Sequence, residues 1–287
     1  MTSPPEVITS RDNPLVKELR RLAQDGAAYR KTGRVWIEGE HLCDAAYARG
    51  WKADIAVISD RNPHLAHIES AKIATKRIVI SDTVMQSISG LESPASMGLV
   101  LVLPQTTAIE PGAKTVVIDC LQDPGNAGSI LRSAAAFGYT QIIALKGSVA
   151  LWGPKVLRAG MGAHFSLSIV EGASTGDLTG LQNPLAVTSS HRGQYLHDIQ
   201  RDCYLLPKDD RLALTKQGID ADLASRIGSF NWVMGHEGQG VSDALEALAQ
   251  VHVRIAQPGG QESLNVAAAA AICLQASAAA LLIQNIG

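Results

Sequence analysis

The feature that most constrains this chain is a series of short apolar runs in its second half. TVVID (115–119), QIIAL (141–145), SLSIV (166–170), PLAVTS (184–189), WVMG (232–235) and VHVRI (251–255) are rich in β-branched residues. Helical patterns separate them, the clearest at 127–137, 241–249 and 264–283. A strand that is apolar on both faces must be covered on both, so this alternation predicts an α/β fold around a parallel sheet. Residues 1–104 alternate in the same way on a smaller scale. A helix is expected over 14–24, a strand and helix in RVWIEGEHLCDAAYARGW, and strands at 55–59, 77–81 and 98–104. QTTAIEPGAK (105–114) has Thr, Pro and Gly without periodicity, the chemistry of a linker. The expected organisation is a small α/β domain over 1–104, a linker over 105–114 and a larger α/β domain over 115–287.

Charge narrows the function classes. A net charge of −2 over 287 residues argues against binding nucleic acid by bulk positive charge. Aromatics make up 4%, too few for a broad base-stacking platform. Residues 11–34, however, hold seven cations (Arg11, Lys17, Arg20, Arg21, Arg30, Lys31, Arg34) against three acids, whereas from residue 106 onward 12 cations face 15 acids. Any footprint for a polyanion therefore lies near the N-terminus, with Lys17, Arg20, Arg21, Arg30, Lys31 and Arg34 as its candidates. In PLVKELRRLAQ, Leu15, Leu19 and Leu22 share one helical face and the cations the other, so a solvated basic face accounts for the pattern as well as RNA contact does.

The four cysteines are scattered and form no CxxC pair, which points away from zinc and disulfides and toward a reducing cytoplasm. His64 and His67 have no carboxylate or thiol nearby, so no metal site is expected. The opening MTSPPEVITSRDNP lacks an apolar secretion signal. The run from 264 to 283 is long enough to span a bilayer, but it is mostly Ala, with Gln275 and Ser277 inside it and no basic flank. A buried or interface helix is the expectation there.

The unusual residues of the second half gather at three strand-to-helix junctions. VVIDCLQDPGNAGSILR (116–132) places a Pro-Gly turn before a helix, with Asn126 expected as its cap and Arg132 about two turns in. A capped helix explains Asn126 but not Gly125 and Gly128, which let a backbone or ligand come close. WVMGHEGQG (232–240) brackets Glu237 with glycines where a strand ends, a place where open α/β sheets bind ligands. His236 beside it is a candidate base or a loop histidine without a role. VRIAQPGGQESLNV (253–266) brings Ser263 and Asn265 to the start of the Ala-rich helix, where Ser and Asn are expected as caps. Neither a GxGxxG fingerprint nor a Walker A sequence is present, which disfavours a generic nucleotide-binding enzyme.

Taken together and in order, the junctions resemble a known family. Asn126-Ala-Gly128-Ser-Ile-Leu-Arg132, Gly235-His-Glu237-Gly-Gln-Gly240 and Pro258-Gly259-Gly-Gln-Glu262-Ser263-Leu264-Asn265-Val266 are similar to motifs 1, 2 and 3 of the SpoU (TrmH-type) RNA 2′-O-ribose methyltransferases of the SPOUT superfamily. KVLRAGMGAHFSL (155–167) is similar to the segment between motifs 1 and 2. SRDNPLVKELRRLA followed by RVWIEGEHL resembles, more loosely, the L30e-like substrate-binding domain of ribosomal-RNA members.

The resemblance implies a SPOUT domain with a trefoil knot, S-adenosylmethionine as cofactor, a homodimer packed through the C-terminal domain, and an RNA substrate, rRNA of the large subunit before tRNA. It implies that Arg132 assists the attacking ribose hydroxyl. Because a guanidinium stays protonated, stabilising the developing oxyanion is chemically easier for it than acting as a base. Asn126, Glu237, Ser263 and Asn265 would orient that chemistry. Gly235, Gly240 and Gly259 would admit the cofactor, with Ile255, Gln257 and Leu264 beside it. Where the family commonly reads IPM and SLNVS, this chain has Ile255-Ala256-Gln257 and Ala267. A non-catalytic RNA-binding or assembly factor of the same fold is the competing class, and the retained polar residues argue for an active enzyme.

Overall fold

The computed structural model describes residues 7–105, 107–189, 192–205, 226–259 and 264–286. Its contacts group the chain into two units, residues 1–107 with 150–166, and residues 108–149 with 167–287.

In the first unit, Asn13 caps the helix Pro14–Gln24 by accepting the Leu15 N–H at 2.9 Å, and Pro14 supplies the first-turn φ. Val16, Leu19 and Leu22 of this helix are buried against a four-stranded sheet. Its strands are β1 (Arg34–Glu38), β2 (Ala53–Ser59), β3 (Ala74–Ile80) and β4 (Met97–Val102), in the order β1-β4-β2-β3. Only β2 and β3 pair in parallel. β2 and β3 begin two and three residues earlier than their apolar runs, because Ala53 and the polar Thr75 and Lys76 extend the ladder. Gly98 lies beneath Trp36, where an added Cβ would stand 2.3 Å from the indole, so the buried tryptophan depends on the missing side chain.

The second unit contains β5 (Thr115–Ile118), β6 (Gln141–Leu145), β7 (Ser168–Ala173), β8 (Leu185–Thr188), β9 (Gln194–Tyr195), β10 (Asn231–Met234) and β11 (Val251–Arg254). Every pairing among them is parallel, in the order β7-β6-β5-β10-β8-β11-β9. The strand expected at 166–170 begins two residues later, because 163–166 form a 3₁₀ turn first. The two-residue β9 and the helix Leu196–Leu205 had no apolar run to announce them.

The order brings the ends of β5 and β10 side by side. The Ala-rich helix Val266–Ile286 packs on the helix Pro124–Ala136 and buries Ala270, Cys273, Leu274, Ala276 and Ser277. Ser277 Oγ accepts from Trp232 Nε1 at 2.9 Å and donates to the Ile227 carbonyl at 2.7 Å, so its hydroxyl is satisfied in the core. Among the described residues no helix is long and apolar enough to cross a membrane.

Candidate active site

All seven strands of the second sheet point the same way, so the residues that follow β5, β10 and β11 lie along one edge. The structure links the first two junctions through Glu237. Its carboxylate accepts from the backbone N–H of Asp123 at 3.0 Å, the N–H of Gln122 at 3.3 Å and Asn126 Nδ2 at 3.2 Å. These donors surround the positive end of the Pro124–Ala136 helix, where a carboxylate is favoured. Partial burial pushes the Glu237 carboxyl up, but these hydrogen bonds outweigh it and hold the group below its ordinary value.

Asn126 carries the connection onward. Its Oδ1 accepts from Asn265 Nδ2 at 3.0 Å. Asn265 Oδ1 in turn accepts the N–H groups of Ala267 at 2.9 Å and Ala268 at 3.2 Å, capping the C-terminal helix. One side-chain chain thus joins all three junctions: Glu237, Asn126, Asn265 and the start of a helix.

Asn126 is not the cap that the sequence suggested. The helix begins at Pro124, three residues earlier than expected, and Asp123 caps it by accepting the Asn126 N–H at 2.7 Å. Pro124 at the first helical position was the available signal, since the cap precedes such a proline. Freed from capping, the Asn126 amide can face Glu237 and Asn265. Gly125 also has a local reason: a Cβ there would stand 3.0 Å from the Asp123 carboxylate.

The Gly235–Gly240 loop is held shut by its own backbone. His236 N–H donates to the Gly240 carbonyl at 2.8 Å and Gly240 N–H returns to His236 at 2.9 Å. A Cβ on Gly235 would lie 2.3 Å from the Gly240 carbonyl carbon, and Gly240 itself has φ +74°. His236 Nδ1 accepts from the N–H groups of Gly238 and Gln239, so this ring braces the turn. The loop is further anchored by Asp119, buried at the end of β5, which accepts the Ser242 N–H at 2.7 Å. Sequence reasoning missed Asp119, Gln122 and Asp123; their backbone and capping roles carry no spacing signature.

Arg132 is exposed and has no hydrogen-bond or ion-pair partner among the described residues. It follows Gly125 and Gly128 by seven and four residues, which puts the three on one helical face. Ser263 lies outside the described residues. Ile255 is half-buried, Leu264 is 39% exposed, and a Cβ on Gly259 would meet open space. Gln257 Oε1 is buried with no hydrogen-bond partner among the described residues. Apolar surface, open backbone and an orphaned acceptor suit a ligand that carries both a flat apolar ring and N–H donors, as S-adenosylmethionine does.

The first unit divides the basic candidates. Arg34 is half-buried and ion-paired with Glu18 at 2.7 Å and Asp54 at 2.6 Å. Arg20 donates to the Ser87 carbonyl and hydroxyl. Lys17 pairs with Asp12 at the surface, and Arg30 lies over the Tyr29 ring. Arg21 and Lys31 are exposed. No cluster able to hold a metal ion occurs among the described residues.

Comparison with known proteins agrees with this geometry. The model of the SpoU rRNA methylase family matches residues 113–275. The chain belongs to the SpoU rRNA methylase family. Residues 13–98 match an MRM3-like substrate-binding domain. An uncharacterized tRNA/rRNA methyltransferase of Synechocystis is 30% identical over 96% of this chain and 94% of its own length. The 23S rRNA (guanosine(2553)-2′-O)-methyltransferase RlmP of Bacillus subtilis is 26% identical over 92% and 96%. The S-adenosylmethionine-bound rRNA methyltransferase of Sinorhizobium meliloti shares the fold, with TM-score 0.73 at 22% identity over 95% and 97% of the two chains. SpoU methylases use S-adenosylmethionine.

Proposed function

We propose that this SpoU methylase transfers a methyl group to a ribose 2′-OH of structured RNA, with large-subunit rRNA as the substrate. The observation that carries the reading is the Glu237–Asn126–Asn265 chain, which joins the three junctions at the start of the helix that also carries Arg132, unpaired among the described residues. The MRM3-like match over 13–98 and the likeness to RlmP favour rRNA over tRNA.

S-adenosylmethionine supplies a methyl already activated by the sulfonium charge, so the chain's task is to position and activate the hydroxyl. Gly235, Gly240, Gly259, Ile255, Gln257 and Leu264 would hold the cofactor. Long helical side chains lean toward the helix N-terminus, which directs Arg132 over the Gly125–Gly128 face. There its fixed positive charge stabilises the oxyanion that develops as the hydroxyl releases its proton to solvent water. Glu237, ionised at neutral pH, orients Asn126 and offsets the cation. Ser263, in the third motif by resemblance, is assigned to the same task.

The strand order, with β10 inserted between β5 and β8 and β11 between β8 and β9, supports the trefoil-knotted reading of this unit. Exposed Ile272 on the C-terminal helix supports a homodimer packed through it. Mapping 2′-O-methyl groups by mass spectrometry in rRNA and tRNA of a deletion strain tests the assignment. One lost large-subunit rRNA methyl is expected, and an unchanged map of both RNAs would overturn it.

A further inference from the structure

Outside the three motifs, a cavity of about 540 Å³ opens in the first unit, where β2 and β3 begin and β4 ends. We infer that it is a docking site for one unstacked nucleotide of a single-stranded RNA segment, its phosphate between Arg49 and Lys52 and its base against Trp51 and Val102. The inference rests on the RNA-substrate reading above and places a contact away from the basic helix that the sequence nominates.

The wall is built and rigid. The helix Glu40–Ala48 ends with Gly50 N–H bonded to Tyr47 and Trp51 N–H bonded to Ala46, which fixes the backbone at Trp51. Trp51 Nε1 donates to the Phe165 carbonyl at 3.1 Å, and its ring meets Trp152 and Phe165 at centroid distances of 5.6 and 5.5 Å. Trp51 is half-buried and lines the cavity, and its one side-chain donor is already used, so what it can offer a ligand there is apolar contact. Across the cavity Val102 is 57% exposed, beside exposed Pro104. A large aliphatic side chain left in water next to a pinned indole is a surface that a flat ring can cover.

Charge selects the ligand. Asp54, the acid in the lining, is held by Arg34 at 2.6 Å. Arg49 and Lys52 are exposed and have no partner among the described residues. The lining therefore presents two free cations and an acid partly neutralised by Arg34, which complements a phosphodiester and disfavours an acceptor-poor apolar peptide. Lys76 and Arg77 are exposed on the neighbouring β3 and extend the positive surface along the sheet edge. Base-stacking wall and phosphate-binding cations side by side are the two requirements of single-strand recognition.

The test measures binding of a fluorescein-labelled oligouridine 12-mer to the full-length protein by anisotropy at several salt concentrations. Three variants are compared with wild type: Arg49→Ala/Lys52→Ala, Val102→Glu, and Lys17→Ala/Arg21→Ala on the N-terminal helix. Val102→Glu is included because its exposure lets it fold, whereas a Trp51 substitution would disturb Trp152 and Phe165. The double cation variant is expected to bind about tenfold or more weakly and to lose about 1.4 from the log–log salt slope, roughly 0.7 for each phosphate contact. Val102→Glu should weaken binding several-fold, and Lys17→Ala/Arg21→Ala should leave the affinity within about twofold.

Oligouridine affinities unchanged in the first two variants would overturn the inference. So would a loss matched with heparin and indifferent to Val102→Glu, which describes a diffuse basic surface. Methyl transfer by the wild-type enzyme is scored separately. Transfer with variant-insensitive binding removes this site alone, whereas variant-sensitive binding without any transfer removes the methyltransferase reading and keeps the site.

Discussion

Asn265 Nδ2 donates to Asn126 Oδ1 at 3.0 Å, a bond between side chains 139 residues apart in the chain. Asn265 also caps the C-terminal helix through its other amide atom, so the two roles can be separated by substitution. Asn265→Ala removes both and costs about 1 kcal/mol for the cap alone. Asn265→Asp keeps the capping oxygen but loses the donor to Asn126. Thermal melts should show Asn265→Asp close to wild type, while methyl transfer falls about tenfold or more, as expected for losing a positioned hydrogen bond. Full activity in Asn265→Asp would reduce Asn265 to a cap.

Arg132 has no partner among the described residues to lose. Arg132→Ala should leave the melting temperature and the calorimetric affinity for S-adenosylmethionine unchanged, yet lower kcat by roughly 10²–10³, the effect of removing one oxyanion-stabilising donor. Arg132→Lys should recover part of the rate, because the charge remains while the planar fork is gone.

Gly235 and Gly259 are both proposed to admit the cofactor, but they should fail differently. A Cβ on Gly235 meets the Gly240 backbone at 2.3 Å, which cannot swing aside. Gly235→Ala should destabilise the enzyme by about 1–3 kcal/mol, the usual range for overpacking, measurable as a lower melting temperature. Gly259 faces open space, so Gly259→Ala should melt like wild type and show its effect in weaker S-adenosylmethionine binding by calorimetry.

His164 should give the fold an acid-sensitive limb. It is fully buried, its Nε2 bonds the Leu151 carbonyl at 2.9 Å, and its Nδ1 has no partner. Burial pushes the imidazole down to about 4. The unfolded chain takes up a proton near the ordinary value of 6.5, whereas the folded ring does so only near 4. The stability from keeping it neutral is thus present above 6.5 and is lost as pH falls toward 4, up to about 3 kcal/mol in all. Urea denaturation between pH 7 and 4.5 should show this slope in wild type and a flatter one in His164→Gln.

Much of the site was legible because its residues carry rare spacing: glycines around Glu237 and the Asn126 to Arg132 interval stand out in any reading. The parallel sheet was legible because strands covered on both faces have no polar alternation to blur them. What the sequence withheld were relationships made by backbone groups. Asp123 and Asn126 are both good caps within four residues, and propensity alone does not choose between them. Arg34 looked like an RNA contact until Glu18 and Asp54, distant in sequence, closed around it. Arg49 and Lys52 drew no notice because two isolated cations form no cluster until a helix end and three strand ends surround them.

The three junctions are proposed to build one site for methyl transfer to a ribose hydroxyl. The most direct measurement incubates the purified enzyme with S-[methyl-³H]adenosylmethionine and large-subunit rRNA, digests the RNA to nucleosides and identifies the labelled product by mass spectrometry. A single 2′-O-methylnucleoside is expected with wild type, formed roughly 10²–10³-fold more slowly with Arg132→Ala. Label on a base, or equal 2′-O-methylation by wild type and Arg132→Ala, would contradict this assignment.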